Sequence, residues 1–141
     1  MAAPDPLGPR VRALFGELAH AGELTRASEA GVGQVLRGEA GRTAEGTRVR
    51  FTLQLAGTRI VQARYRAYGC PYTLASCEWL ARRLTGCELA GGSAAALRAA
   101  VGLPADWAAA LGVPAERLGR LLVIEDALQR ALAAAAPVPA A

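Results

Sequence analysis

Three cysteines and a single histidine, His20, are the residues of this 141-residue chain best suited to soft-metal or sulfur chemistry. The cysteines, Cys70, Cys77 and Cys87, are spaced C-x6-C-x9-C, which matches no zinc-finger or redox pair. One histidine excludes a zinc site built on paired histidines, and any histidine-relayed nucleophile would depend on His20 alone. His20, on the first helix, is expected to be solvated or to cap. Cys70 stands apart. In the run YGCPYT it ends a strand-like stretch and precedes Pro71, a residue suited to the first turn of a helix. A thiol at that corner meets unpaired backbone N–H groups and the positive end of the helix dipole, which favour thiolate. Metal ligand, nucleophile, sulfur carrier and small apolar filler are all open to it. Cys77 falls on an apolar stripe with Leu74, Ala81 and Leu84, where a free cysteine serves as a small hydrophobe. Cys87, after Gly86, is expected in an exposed loop. No phosphate-binding glycine loop occurs.

The elements that must hold these side chains follow from periodicity. Val11, Leu14, Phe15 and Leu18 recur at helical spacing, with Gly22 as the stop. A short strand is expected around Val32 to Arg37. In RVRFTLQL, Val49, Phe51, Leu53 and Leu55 alternate with Arg48, Arg50, Thr52 and Gln54, the period-2 pattern of a strand with one buried and one solvated face. After Ala56-Gly57-Thr58 the alternation resumes through Val61, Ala63, Tyr65 and Ala67, which predicts an antiparallel β-hairpin of 47–55 with 59–68. From Pro71 the period becomes helical as far as Gly86. Residues 92–111 read as one or two short helices broken near Gly102 and Pro104. A last helix runs from about Ala115 to Ala135, with Leu118, Leu121, Leu122, Ile124 (or Glu125) and Leu128 on its apolar side. Strands grouped ahead of helices predict an α+β fold, a small three-stranded antiparallel sheet with helices on one face. The expected organisation is a loose segment 1–9, one domain over 10–135 and a loose tail 136–141.

Composition narrows the function classes. All 16 basic residues are arginine, against 12 acidic ones, for a net charge of +4. They are scattered from Arg10 to Arg130 without a basic run interleaved with aromatics, so a solvated arginine-rich surface is expected and nucleic-acid binding is not. No apolar run approaches a membrane span, and MAAPDPLGPR lacks the apolar core of a secretory signal. An odd cysteine number does not suggest a disulfide framework. A reducing bacterial cytoplasm is the expected location.

The run ARYRAYGCPYTLAS, with Thr85-Gly86 closing the helix, resembles the NifU/IscU-type iron–sulfur cluster assembly scaffolds, in which a strand ends in Tyr-Gly-Cys before a helix with a small-residue start. TAEGTRVRF resembles the family's Ala-Cys-Gly-Asp stretch leading into a strand. VPAERLGRLLVIEDALQRAL resembles its final proline-containing loop, cysteine and helix. The likeness runs from about residue 10 to 132 and implies the fold read above. It also implies a scaffold role rather than an enzyme, an iron–sulfur cluster or iron as cargo, and partners such as a cysteine desulfurase, with a homodimer left open.

The family holds a nascent cluster with three cysteines and an aspartate. Of these only Cys70 survives, at the middle cysteine. Glu45 stands for the first cysteine, Thr47 for the aspartate, and Gly119-Arg120 for the last His-Cys pair. Cluster iron prefers thiolates, so one thiolate beside a carboxylate is a poor set, and Arg120 sets a permanent positive charge against iron. The same charge suits a Cys70 thiolate or persulfide. Two readings result: a scaffold-like protein of cluster assembly with Cys70 as its sulfur- or iron-handling residue, and a degenerate paralogue serving as an interaction or regulatory module without bound cluster. The matching positions predict that Cys70 lies in one small pocket bordered by Glu45, Thr47 and the Gly119-Arg120 turn, and the carry-over of the site depends on that convergence.

Overall fold

The computed structural model describes residues 7–22, 24, 34–89 and 94–134. Three strands, β1 (Gln34–Arg42), β2 (Thr47–Ala56) and β3 (Arg59–Tyr68), form one antiparallel sheet in the order β1-β2-β3. Around it lie α1 (Pro9–Phe15), α2 (Pro71–Leu84), α3 (Ala94–Val101), α4 (Pro104–Leu111) and α5 (Leu118–Ala133), the last preceded by a 3-10 turn at Ala115–Arg117. The α+β architecture and the central hairpin are those the alternation predicted.

Val49, Phe51 and Leu53 are completely buried beneath the helices. Helix α5 packs across β1 and β2, α2 packs on β3, and α1 packs on α2. The contact between β1 and α5 requires a glycine. A Cβ on Gly38 would stand 2.1 Å from the Ala127 carbonyl oxygen and 2.2 Å from the Ala131 nitrogen. Because both obstacles are backbone, Gly38→Val is expected to cost at least about 3 kcal/mol by forcing α5 off the sheet. Thermal unfolding followed by circular dichroism should read this as a fall in Tm of roughly 10 °C.

Several expectations are corrected. The loose N-terminal segment was expected to reach residue 9, but Pro9 opens α1 at its first turn; residues 1–6 and 135–141 lie outside the described residues. α1 stops at Gly16, well before Gly22, so Leu18 and His20 lie beyond it and Phe15 is 39% exposed. The chain leaves the helix there to run back along the sheet, where the Gly22 N–H donates to the Tyr65 carbonyl at 2.7 Å. β1 is longer than expected and runs to Arg42; Val32 and Gly33 fall outside the described residues. On β3, Ile60 rather than Val61 faces the core, because a bulge opposite Gln54 and Leu55 makes Val61 the extra residue and reverses the alternation at the turn. The outer face of the sheet is not solvated throughout. Thr52 and Gln54 are buried, and the Leu24 N–H donates to the Thr52 hydroxyl at 3.3 Å.

The edge of β3 is covered from both ends. Residues 20–22 bridge it at Tyr65, and residues 87–89 bridge it at Arg59, which blunts an otherwise open strand edge. Cys87 is therefore part-buried rather than on a free loop, and its thiol donates to the Arg83 carbonyl at 3.0 Å.

α2 is buried almost all round, and its polar residues are consequently paired. Glu78, fully buried, accepts from the His20 backbone N–H at 2.8 Å, the Tyr65 hydroxyl at 3.0 Å and Arg82 Nε at 2.7 Å, and pairs with His20 Nδ1 at 2.7 Å. His20 is thus neither a cap nor a solvated side chain. It ties the segment after α1 to α2.

Candidate functional site

Cys70 is the N-cap of α2, with extended backbone (φ −75°, ψ 169°) and Pro71 at the first helical position. Proline suits that position because its missing N–H would lack a partner there anyway. The Thr73 hydroxyl lies 3.5 Å from Sγ, and the nearby N–H groups of Tyr72 and Thr73 favour the anionic sulfur. Burial alone would raise the thiol pKa. The Thr73 hydroxyl, the two N–H groups and the Arg120 charge together outweigh it and leave Cys70 below the ordinary thiol value. Cys77, wholly buried two turns on, is pushed far up by burial and then by the Glu78 charge.

Gly69 makes the Thr73 contact possible. A Cβ there would lie 2.9 Å from the Thr73 Cβ and Oγ1, so any side chain would displace the hydroxyl that faces the sulfur. Gly69→Ala should therefore slow alkylation of Cys70 several-fold at neutral pH while Cys87 serves as the internal reference. An unchanged ratio of the two rates would remove Thr73 from the account.

Arg120 comes from the first turn of α5. Its Nη1 donates to the Thr47 hydroxyl at 2.6 Å and to the Gly46 carbonyl at 3.2 Å, joining α5 to the start of β2. Thr47 is buried, whereas Glu45 is exposed at the end of the 3-10 turn Thr43–Glu45. Glu45, Thr47, Gly119 and Arg120 line one open cavity with Glu116 and Val123. Four of the positions singled out in the sequence thus converge. Cys70 is not part of that cavity's wall, contrary to the single pocket expected; the link between them is Arg120, whose charge reaches the sulfur. Gly119 and Arg120 are helical rather than a turn, because the preceding turn at Ala115–Arg117 has already redirected the chain.

The sequence reasoning passed over Thr73 and Glu116. Thr73 had a legible signal, since a hydroxyl three residues after an N-cap stands over that cap. The donor set does not fit an iron–sulfur cluster within one chain. Among the described residues no three His, Cys, Asp or Glu side chains are grouped to hold a metal ion. Arg120 fills the space between Thr47 and Gly46 with a cation. The described cysteines are all free.

A strand-ending Tyr-Gly-Cys, a helix N-terminus and a second helix brought against the start of β2 define an α+β thiol site of one known class. Residues 9–135 match the family model of the NifU-like N-terminal domain, and the chain belongs to that family. A bifunctional protein NifU/MnmA of Rubrobacter xylanophilus is 40% identical over 91 residues, which are 64% of this chain and 17% of that protein. The chain thus spans less than a fifth of that relative. Among solved structures, a protein assigned as an iron–sulfur cluster assembly scaffold for the SUF system of Fervidobacterium islandicum superposes with a TM-score of 0.63 at 15% identity, covering 89% of this chain and 95% of the other. The N-terminal part of a NifU-like protein from Brucella abortus gives 0.53 at 15% identity over 91% and 95%. At such identities these structures speak for the fold.

Proposed function

We propose that this protein is a scaffold-like component of iron–sulfur cluster assembly in which Cys70 accepts sulfur. The observation that carries the reading is the environment of that thiol. Thr73, two backbone N–H groups and the Arg120 charge all favour an anionic sulfur, while the other ligand positions hold Glu45, Thr47 and Arg120. The donor would be a protein-bound persulfide, such as that of a cysteine desulfurase. The Cys70 thiolate attacks the outer sulfur of the donor's S–SH. A new S–S bond forms on Cys70, the donor's S–S bond breaks, and the donor departs as a thiolate. The persulfide proton stays with the transferred sulfur, and Arg120 compensates charge on the Cys70 side. In this reading the protein acts as a carrier rather than an enzyme, because the sulfur it accepts stays on Cys70. No described helix is long and apolar enough to cross a membrane.

The test is anaerobic incubation of the full chain with a desulfurase and cysteine, followed by intact-mass and peptide mapping. One added sulfur atom on Cys70, absent in Cys70→Ser and slowed several-fold in Arg120→Gln, is the expected result. Sulfur on Cys87 with Cys70 unmodified would overturn it. The module reading, in which the fold is kept only to bind partners, draws on the same filled ligand position at Arg120. It predicts no sulfur on Cys70 at all.

A further inference from the structure

Two carboxylates and one guanidinium share the cavity at the start of β2, yet they do not pair. Glu45, Glu116 and Arg120 line its open volume of about 230 Å³ together with Thr47. Among the described residues Arg120 makes no hydrogen bond or ion pair with either glutamate. Its Nη1 donates instead to the Thr47 hydroxyl and the Gly46 carbonyl, and both of these acceptors are uncharged.

The grip is well made. Thr47 is 3% exposed, so little water competes for its hydroxyl. The 2.6 Å contact has the short length of a hydrogen bond from a charged donor. Gly46, in a left-handed conformation at φ 87°, leaves room for the same nitrogen, which a Cβ there would approach to 3.2 Å.

The charge of the acceptor decides what Arg120 can then do. A carboxylate would hold the side chain and neutralise it. A hydroxyl and a carbonyl hold it and leave its charge in place. That charge stands at the thiol's end of the sheet: Thr47 precedes Arg48, which pairs with Tyr68, two residues before Cys70. Its field favours an anionic sulfur there. We propose that Thr47 is a positioning residue. It holds Arg120 away from Glu45 and Glu116 with its charge intact, and so biases Cys70 toward reagents and sulfur donors that carry negative charge. Where donors are concerned the proposal rests on Cys70 as the sulfur acceptor, and its test separates the two.

The probe is a pair of alkylating agents, anionic iodoacetate and neutral iodoacetamide, applied to the full chain at neutral pH and mapped to Cys70. With either one the thiolate attacks the methylene carbon, a C–S bond forms and iodide leaves. Both rates scale with the same thiolate fraction, so their ratio cancels it and reads the charge around the sulfur. At low salt the iodoacetate-to-iodoacetamide ratio should exceed that of the same chain unfolded in urea by about threefold, the scale of a solvent-screened charge pair. The excess should shrink at high salt. It should vanish in Arg120→Gln. It should vanish also in Thr47→Val, which keeps the shape and removes the acceptor, and in Thr47→Asp, which keeps an acceptor and neutralises the cation. Thr47→Ser should retain it. An excess absent in wild type, kept in Thr47→Val or Thr47→Asp, or lost in Thr47→Ser would overturn the proposal. If Thr47→Val fails to fold, Thr47→Asp against Thr47→Ser decides, because aspartate still ties α5 to β2. Sulfur transfer from a desulfurase, followed in the same variants, distinguishes the two readings. No sulfur on wild-type Cys70, with the ratios as expected, removes the acceptor reading and leaves Thr47 in its role. Transfer to Cys70 in Thr47→Asp at the wild-type rate removes Thr47 from donor selection and leaves the acceptor reading standing.

Discussion

Cys70 should be alkylated by iodoacetamide at neutral pH at least tenfold faster than Cys77. The two thiols lie on the same helix, and their environments act in opposite directions. Cys70 has the Thr73 hydroxyl, two N–H groups and a guanidinium charge against partial burial. Cys77 has complete burial with the Glu78 carboxylate beside it. The thiolate is the reactive species, so rate follows both access and pKa. The rate at Cys70 should rise with pH through a midpoint below that of a free thiol. Replacing the cation, as in Arg120→Glu, removes a charge that favours thiolate and adds one that opposes it, so the midpoint should move up. Competition labelling with peptide mapping reads both effects. Equal rates at the two cysteines, or a midpoint that Arg120→Glu leaves in place, would count against a primed thiolate.

Glu78→Ala should destabilise the fold by about 3–5 kcal/mol, the range for removing one member of a buried charged network. The loss has three parts. The Tyr65 hydroxyl and the His20 N–H lose their acceptor, Arg82 loses its partner, and the segment after α1 is untied from α2. The pH dependence has a definite sign. Burial would raise the Glu78 carboxyl, but the His20 N–H, Arg82, the His20 ring and Tyr65 outweigh it, and its pKa in the folded protein lies below the ordinary carboxylate value. A depressed carboxylate contributes stability above its unfolded pKa and loses it as pH falls through the folded value. The gap in Tm between wild type and Glu78→Gln should therefore be full at neutral pH and shrink progressively in acid, below the ordinary carboxylate pKa. A gap independent of pH would mean that Glu78 acts by shape and not by charge.

The parts of the fold set by local pattern were legible in the sequence. Alternation from Val49 to Leu55 and again toward Ala67 defined the hairpin, and the change of period at Pro71 defined α2. What escaped was set by distant contacts. Val61 fits the alternation, yet the bulge turns Ile60 inward. Thr52 and Gln54 look solvent-facing until Leu24 covers Thr52 from across the sheet. His20 looked solvated because nothing near it in sequence announces Glu78, 58 residues away. At the site, matching positions gave the convergence of Glu45, Thr47 and Arg120. They did not give the direction of Arg120, which reaches into the start of β2 and places Cys70 outside the cavity it lines.

Iron and labile sulfide per chain, measured after anaerobic reconstitution and gel filtration of the full chain, test the central claim most directly. One thiolate, a carboxylate and a guanidinium do not complete the shell of a cluster, which depends on sulfur donors. The expected product is nearly colourless, with iron well below the content of one complete cluster. Retention should rise in the double variant Glu45→Cys with Arg120→Cys, which supplies thiols at the cavity that these two residues share. A brown wild-type protein that keeps a full complement of iron and sulfide through the column would contradict the account and make Cys70 one ligand of a complete site.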